Sequence, residues 1–148
     1  QRLAVQIWEQ NTEATHLVLL GIQGQGDVLA QSLAQVLQAR KALPISVGKV
    51  ILDKRAKVPT GITVQGIDNK LLQTCPVVLV DDVLNTGRVL SYAFAALLAY
   101  GPPKIQIAVL VARNHGLYPL APDFVGHSIS TTLEDHIEVR LDEGAFLQ

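Results

Sequence analysis

A chain of 148 residues fits one domain and is long enough to bury a core of ordinary size. With 49% hydrophobic residues, a mean hydropathy of +0.29 and a net charge of −1, its composition excludes a disordered chain, and the molecule as a whole is no electrostatic magnet for nucleic acid. No apolar run approaches the ~18 residues of a membrane span, no secretory signal is visible, and the lone Cys75, which cannot pair within the chain, fits a reducing cytoplasm.

Gln1 falls inside a helical pattern, so the sequence reads as a single domain over 1–148 with a trimmed N-terminus. Leu3, Ala4, Ile7 and Trp8 stand at helical spacing within 2–10. LVLLGI, 17–22, reads as a buried strand, and the Gly-rich residues 21–26 turn it into a helix over roughly 27–41 with a stripe of Leu29, Leu33, Val36 and Leu37. ISVGKVIL, 45–52, is a second strand. A polar loop, 53–61, follows, and then ITVQG as a short strand. PVVLVD, 76–81, is a near-continuous apolar strand, as expected where both faces are covered. A helix over 86–99 ends at Gly101-Pro102. KIQIAVLVA, 104–112, is the next strand, and short strands near DFVGH and HIEVR close the chain. Buried strands alternating with helices predict an α/β fold, a mostly parallel central sheet flanked by helices. In such sheets ligands sit beyond the carboxyl ends of the strands, so the loops 21–27 and 81–88 face one crevice.

The stretch 76–90, PVVLVDDVLNTGRVL, carries the most chemistry. Adjacent carboxylates at Asp81 and Asp82 repel each other unless a cation or hydroxyl donors use them, and a sugar diol with a divalent cation would supply both. A solvated pair capping a turn is the plainer alternative. Asn85-Thr86-Gly87-Arg88 then opens a helix. Gly87 permits close approach of the backbone, Thr86 offers a hydroxyl, and the amides of 85–89 can ring a phosphate, although Asn85 or Thr86 could equally be an ordinary helix cap. Together the two elements suggest a phosphorylated ribose. Gly21-Ile-Gln-Gly24-Gln-Gly26 is a weaker signal: it is neither a dinucleotide fingerprint nor a P-loop, and by itself it is a strand-to-helix turn. His16, His115, His127 and His136 lack metal-ligand spacing. Lys54, Arg55 and Lys57 read as a solvated loop, although their segment could fold over the site.

VVLVDDVLNTGRVL resembles the phosphoribosyl-diphosphate (PRPP) signature of the type I phosphoribosyltransferases. KIQIAVLVARNHGLYPLAPDFVGHSIST and GIQGQGDVLAQSLA are similar to stretches of the bifunctional pyrimidine operon regulator / uracil phosphoribosyltransferase family. The resemblance implies the type I phosphoribosyltransferase fold with a small hood at the base pocket. It implies an enzyme that joins PRPP to a nucleobase, uracil first among them, with release of pyrophosphate. Asp81 and Asp82 would engage the ribose hydroxyls and the Mg²⁺ that PRPP brings. Asn85, Thr86, Gly87, Arg88 and Val89 would hold the 5′-phosphate. Gln23, Gly24, Gln25 and Gly26 would form the pyrophosphate loop. Arg113, His115, Phe124 and Val125 would border the base, within 112–119 and 123–126. It further implies a cytoplasmic homodimer and, on the regulatory branch, RNA as a partner.

The chain departs from that family in ways with physical consequences. Its pyrophosphate loop typically reads Lys-Thr-Arg-Gly, whereas Gln23-Gly24-Gln25-Gly26 has no charge and Asp27 follows. Losing one charge-assisted hydrogen bond costs about 1.5–3 kcal/mol. Val89 replaces a common Thr, Asn85 stands where purine-using relatives place a catalytic Asp, Ala112 precedes Arg113 in place of Asp, and the loop 53–61 is short. The alternative is therefore a nucleotide-binding regulator with weakened turnover. A receiver domain of the response-regulator type, whose acidic pair VVLVDD also resembles, needs an Asp at the end of KIQIAVLVA, and none is there.

Overall fold

The computed structural model describes residues 2–40, 43–113 and 116–129. The elements, in chain order, are α1 (Arg2–Glu9), β1 (Leu17–Ile22), α2 (Gln25–Ala39), β2 (Ile45–Ile51), β3 (Thr63–Gln65), α3 (Asn69–Thr74), β4 (Val77–Leu84), α4 (Arg88–Leu98), β5 (Ile105–Arg113) and β6 (Phe124–Ile129). The strands form one six-stranded sheet in the order β3-β2-β1-β4-β5-β6. Every neighbouring pair is parallel except β2–β3, which is antiparallel. This is the mostly parallel α/β sheet that the alternation of elements predicts.

The apolar strands are continuous because both faces are covered. On one face Leu17, Leu19, Val78, Val80, Ala108 and Leu110 pack under α1 and α2 with Leu29, Leu33 and Leu37. On the other Val18, Leu20, Ile22, Val77, Leu79, Ile107 and Val109 pack under α3 and α4 with Leu72, Leu90, Ala93 and Leu97. Consecutive residues of a strand thus enter opposite cores, the period of two that a pleated backbone imposes.

Three boundaries differ from the sequence expectation. β4 does not stop at Asp81 but runs to Leu84, because Val83 and Leu84 still pair with Val111 and Ala112 of β5. α2 starts two residues early, at Gln25, and α4 starts at Arg88, two residues after the expected 86. α3 was not signalled by an apolar stripe. It is a single short helix whose N-cap, Asp68, accepts a hydrogen bond from the Lys70 amide at 3.1 Å. The expected strand at HIEVR and the hood both fall on, or depend on, residues outside the described ones. No helix among the described residues is long and apolar enough to cross a membrane.

Candidate functional site

β1 and β4 are parallel neighbours at the centre of the sheet, so the turn after β1 and the segment after β4 emerge side by side. A cavity of about 330 Å³ opens there, lined by Lys54 and by the continuous run from Asp81 to Leu90. The structure therefore gathers Asp81, Asp82, Asn85, Thr86, Gly87, Arg88 and Val89 into one cavity, as the motif reading expects.

Asp81 is 5% exposed. Its Oδ1 accepts the Asp82 amide at 2.9 Å. The first turn of α2 lies against it: a methyl group built on Gly26 would sit 3.0 Å from that same Oδ1 and 2.8 Å from the Val80 carbonyl oxygen. Glycine at 26 is thus a packing requirement for α2 to reach β4. Burial pushes the Asp81 carboxyl up, to about 8 from the usual 3.8, helped by its hydrogen bond to and charge repulsion from Asp82 and opposed by Lys54. An uncharged carboxyl at neutral pH both donates and accepts hydrogen bonds, which suits a sugar hydroxyl. A divalent cation beside it would draw out the carboxylate form. Among the described residues no cluster of three or more metal-binding side chains exists. The hard oxygen donors of Asp81 and Asp82 fit Mg²⁺ if the substrate provides the remaining oxygens.

The turn into α4 is built as a cradle. Gly87 is the N-cap, in the left-handed region at φ 89°, where a side chain would strain the backbone. Neither Asn85 nor Thr86 is the cap; Thr86 Oγ1 accepts the Arg88 amide at 3.2 Å in a local turn just before it, and its own O–H remains able to donate. The amides of the first turn of α4 have no partner four residues back and carry the positive end of the helix dipole. The Arg88 side chain turns away from this ring: Nη1 donates to the Lys54 carbonyl at 3.2 Å and Nη2 to the Lys57 carbonyl at 2.8 Å, while the guanidinium lies 5.7 Å from the Tyr92 ring centroid. The short loop 53–61 is thereby tied to α4.

Gln23–Gly26 forms the turn opposite. Gly24, at φ 102°, is the N-cap of α2, and the segment expected as a loop is already helical from Gln25. Gln25 Oε1 is buried without a hydrogen-bond partner. No residue of this turn carries a positive charge.

The residues assigned to a base pocket scatter. Arg113 ends β5 and donates from Nη1 to Asn85 Oδ1 at 3.3 Å, which brings it to the cavity's edge. His115 lies outside the described residues. Phe124 and Val125 open β6 opposite Ala108 and Val109, five and four pairings below the Arg113–Ile129 level. At about 3.3 Å per residue, Phe124 is roughly 16 Å from the carboxyl end of the sheet. Phe124 is 2% exposed inside the core under α1 and α2, Val125 packs on the other core, and Asp123 exchanges hydrogen bonds with the Ile107 backbone. Neither Phe124 nor Val125 lines the cavity, although Val125 pairs with Val109 and so stands at the level of Asp81 in the sheet. Two further residues reach the cavity or its edge from segments the sequence reading placed near it. Lys54 enters from the β2–β3 loop, and Leu117 donates its amide to the Thr86 carbonyl at 2.9 Å.

A family model described as the phosphoribosyl transferase domain matches residues 1–144. The bifunctional protein PyrR 1 of Lactiplantibacillus plantarum is 39% identical over 150 residues, covering 96% of this chain and 83% of that protein. The bifunctional protein PyrR of Synechocystis sp. is 35% identical over 147 residues, covering 96% and 83%. In structure, a hypoxanthine-guanine phosphoribosyltransferase from Bacillus anthracis superposes with a TM-score of 0.69 at 16% identity, over 87% of this chain and 73% of that one. A purine phosphoribosyltransferase from Pyrococcus horikoshii gives 0.62 at 23% identity, over 94% and 90%. The two solved structures speak to the fold, while the family model and the sequence relatives decide descent: the chain belongs to the type I phosphoribosyltransferase family, on the branch of the proteins named PyrR.

Proposed function

We propose that this chain binds PRPP with Mg²⁺ and transfers its phosphoribosyl group to a nucleobase, uracil, giving the nucleoside 5′-monophosphate and pyrophosphate. One observation carries the reading: two carboxyl groups and the Thr86–Gly87 helix entry share the wall of a single 330 Å³ cavity. The amides and hydroxyl of 85–89 hold the 5′-phosphate, and Asp81 and Asp82 hold the ribose hydroxyls. In the reaction the bond from C1′ to the diphosphate oxygen breaks, a bond from C1′ to a ring nitrogen forms, and the nitrogen's proton leaves. Positive charge builds on the ribose, so catalysis consists of positioning and charge stabilisation. Mg²⁺ supplies neutralisation of the diphosphate. Arg113, held beside Asn85, lies on the side where a base would enter. Cytoplasmic work as a homodimer completes the reading, and the free, buried Cys75 fits reducing conditions.

The test is pyrophosphate release from PRPP and Mg²⁺ across uracil, hypoxanthine, guanine, xanthine and adenine, with Asp81→Asn/Asp82→Asn as control. Uracil-dependent release that the control lacks is expected. The uncharged Gln23–Gly26 turn favours a second reading, a pyrimidine-nucleotide-binding regulator, with or without RNA, whose turnover is weak. Uridine monophosphate that raises the melting temperature with no release from any base would select it.

A further inference from the structure

The turn that faces the Asp81–Arg88 segment has no cation, yet a diphosphate leaving C1′ needs one. Among the described residues, Lys54 is the lysine that lines the cavity. A methyl group built on Gly24 would lie 3.9 Å from its Nζ, the nearest atom outside residues 23–25, so the ammonium group stands over the N-terminal turn of α2. Its charge also reaches Asp81 across the cavity, opposing the upward push on that carboxyl. Lys54 comes not from the β1–α2 turn but from the β2–β3 loop, and it is not left to wander there. Arg88 grips the carbonyls of Lys54 and Lys57, and it does so from the first residue of α4, directly beside the cradle of Thr86 and Gly87.

We infer that Lys54 is the diphosphate-binding cation of this protein, replacing the charge absent from Gln23–Gly26, and that Arg88 is the positioning residue that holds it over the mouth of α2. The inference rests on the phosphoribosyltransferase reading. A single ammonium on a tethered backbone, with no basic side chain on the turn opposite, contacts the diphosphate as a point charge, and the turn adds only backbone amides and the amide groups of Gln23 and Gln25. Arg55, on the same loop, does not line the cavity, so loop charge in general is separable from this position.

The experiment compares two probes on the intact chain by calorimetry with Mg²⁺ present: PRPP, which carries the diphosphate, and ribose 5-phosphate, which lacks it. Lys54→Gln keeps the backbone carbonyl that Arg88 uses, so the loop tie survives the change. The variant is expected to lose about tenfold or more in PRPP affinity while ribose 5-phosphate binds within twofold of the parent. Lys54→Arg is expected to retain most PRPP affinity, and Arg55→Gln, with the same loss of net charge, to retain all of it. A Lys54→Gln variant that weakens both probes equally, or neither, overturns the assignment while leaving the phosphoribose reading in place. A parent chain that binds neither probe overturns that reading and this inference with it.

Discussion

Asp81 sits where a carboxylate is costly: buried, beside Asp82, with its Oδ1 already accepting an amide. Its folded-state value is raised, so the folded chain binds a proton that the unfolded chain releases. The stability this gives is fully present below the ordinary 3.8 and is lost as pH rises through about 8. Asp81→Asn removes the titration. We expect the melting temperature of the parent, relative to Asp81→Asn, to fall steadily from pH 5 to pH 8 and to level off above; a flat difference would mean that the carboxyl is not held in its uncharged form. At this scale the acidic pair and the Thr-Gly turn are legible, because each needs only its neighbours in the chain. The burial of Phe124 is not, and for Lys54 the sequence shows only that its loop could fold over the site. Which end of a strand lies at the crevice, and which loop bends over it, depend on pairings between segments far apart in sequence.

The Arg88 side chain fastens the loop 53–61 to helix α4. Arg88 spans both through two carbonyls and its approach to Tyr92, so removing it frees the loop without emptying either core. Arg88→Ala is expected to speed amide hydrogen exchange within 53–58 by more than tenfold while lowering the melting temperature by only a few degrees, as fits partly exposed hydrogen bonds. Unchanged exchange there would show that the tie is cosmetic. Among the elements, apolar runs marked β1, β2, β4 and β5, and helical spacing marked the three longer helices. The errors lie at ends. α2 is helical from Gln25 because the left-handed Gly24 already closes the turn, and β4 continues past two acids because its ladder with β5 does. Neither effect is visible to local propensity.

The sheet divides the molecule into two cores, and the division has an energetic signature. Leu37 on α2 and Leu97 on α4 are fully buried on opposite faces. Leu37→Ala and Leu97→Ala should each destabilise by about 2–5 kcal/mol in denaturant unfolding. With the sheet between them and no shared cluster, the double variant should lose the sum within about 0.5 kcal/mol. A marked departure would mean that the cores respond to each other through the sheet. The fold class is the most legible feature of all, since alternating buried strands and helices admit few other arrangements.

The hydrogen bond from the Leu117 amide to the Thr86 carbonyl joins the turn before α4 to the connection that leads into β6. On the proposed reading, a ligand that spans sugar phosphate and base bridges two surfaces already fastened together, so each half presents the other at high effective concentration. A finished nucleotide would then be held more tightly than its fragments sum to, and its departure, rather than bond making at C1′, would set the pace of the cycle.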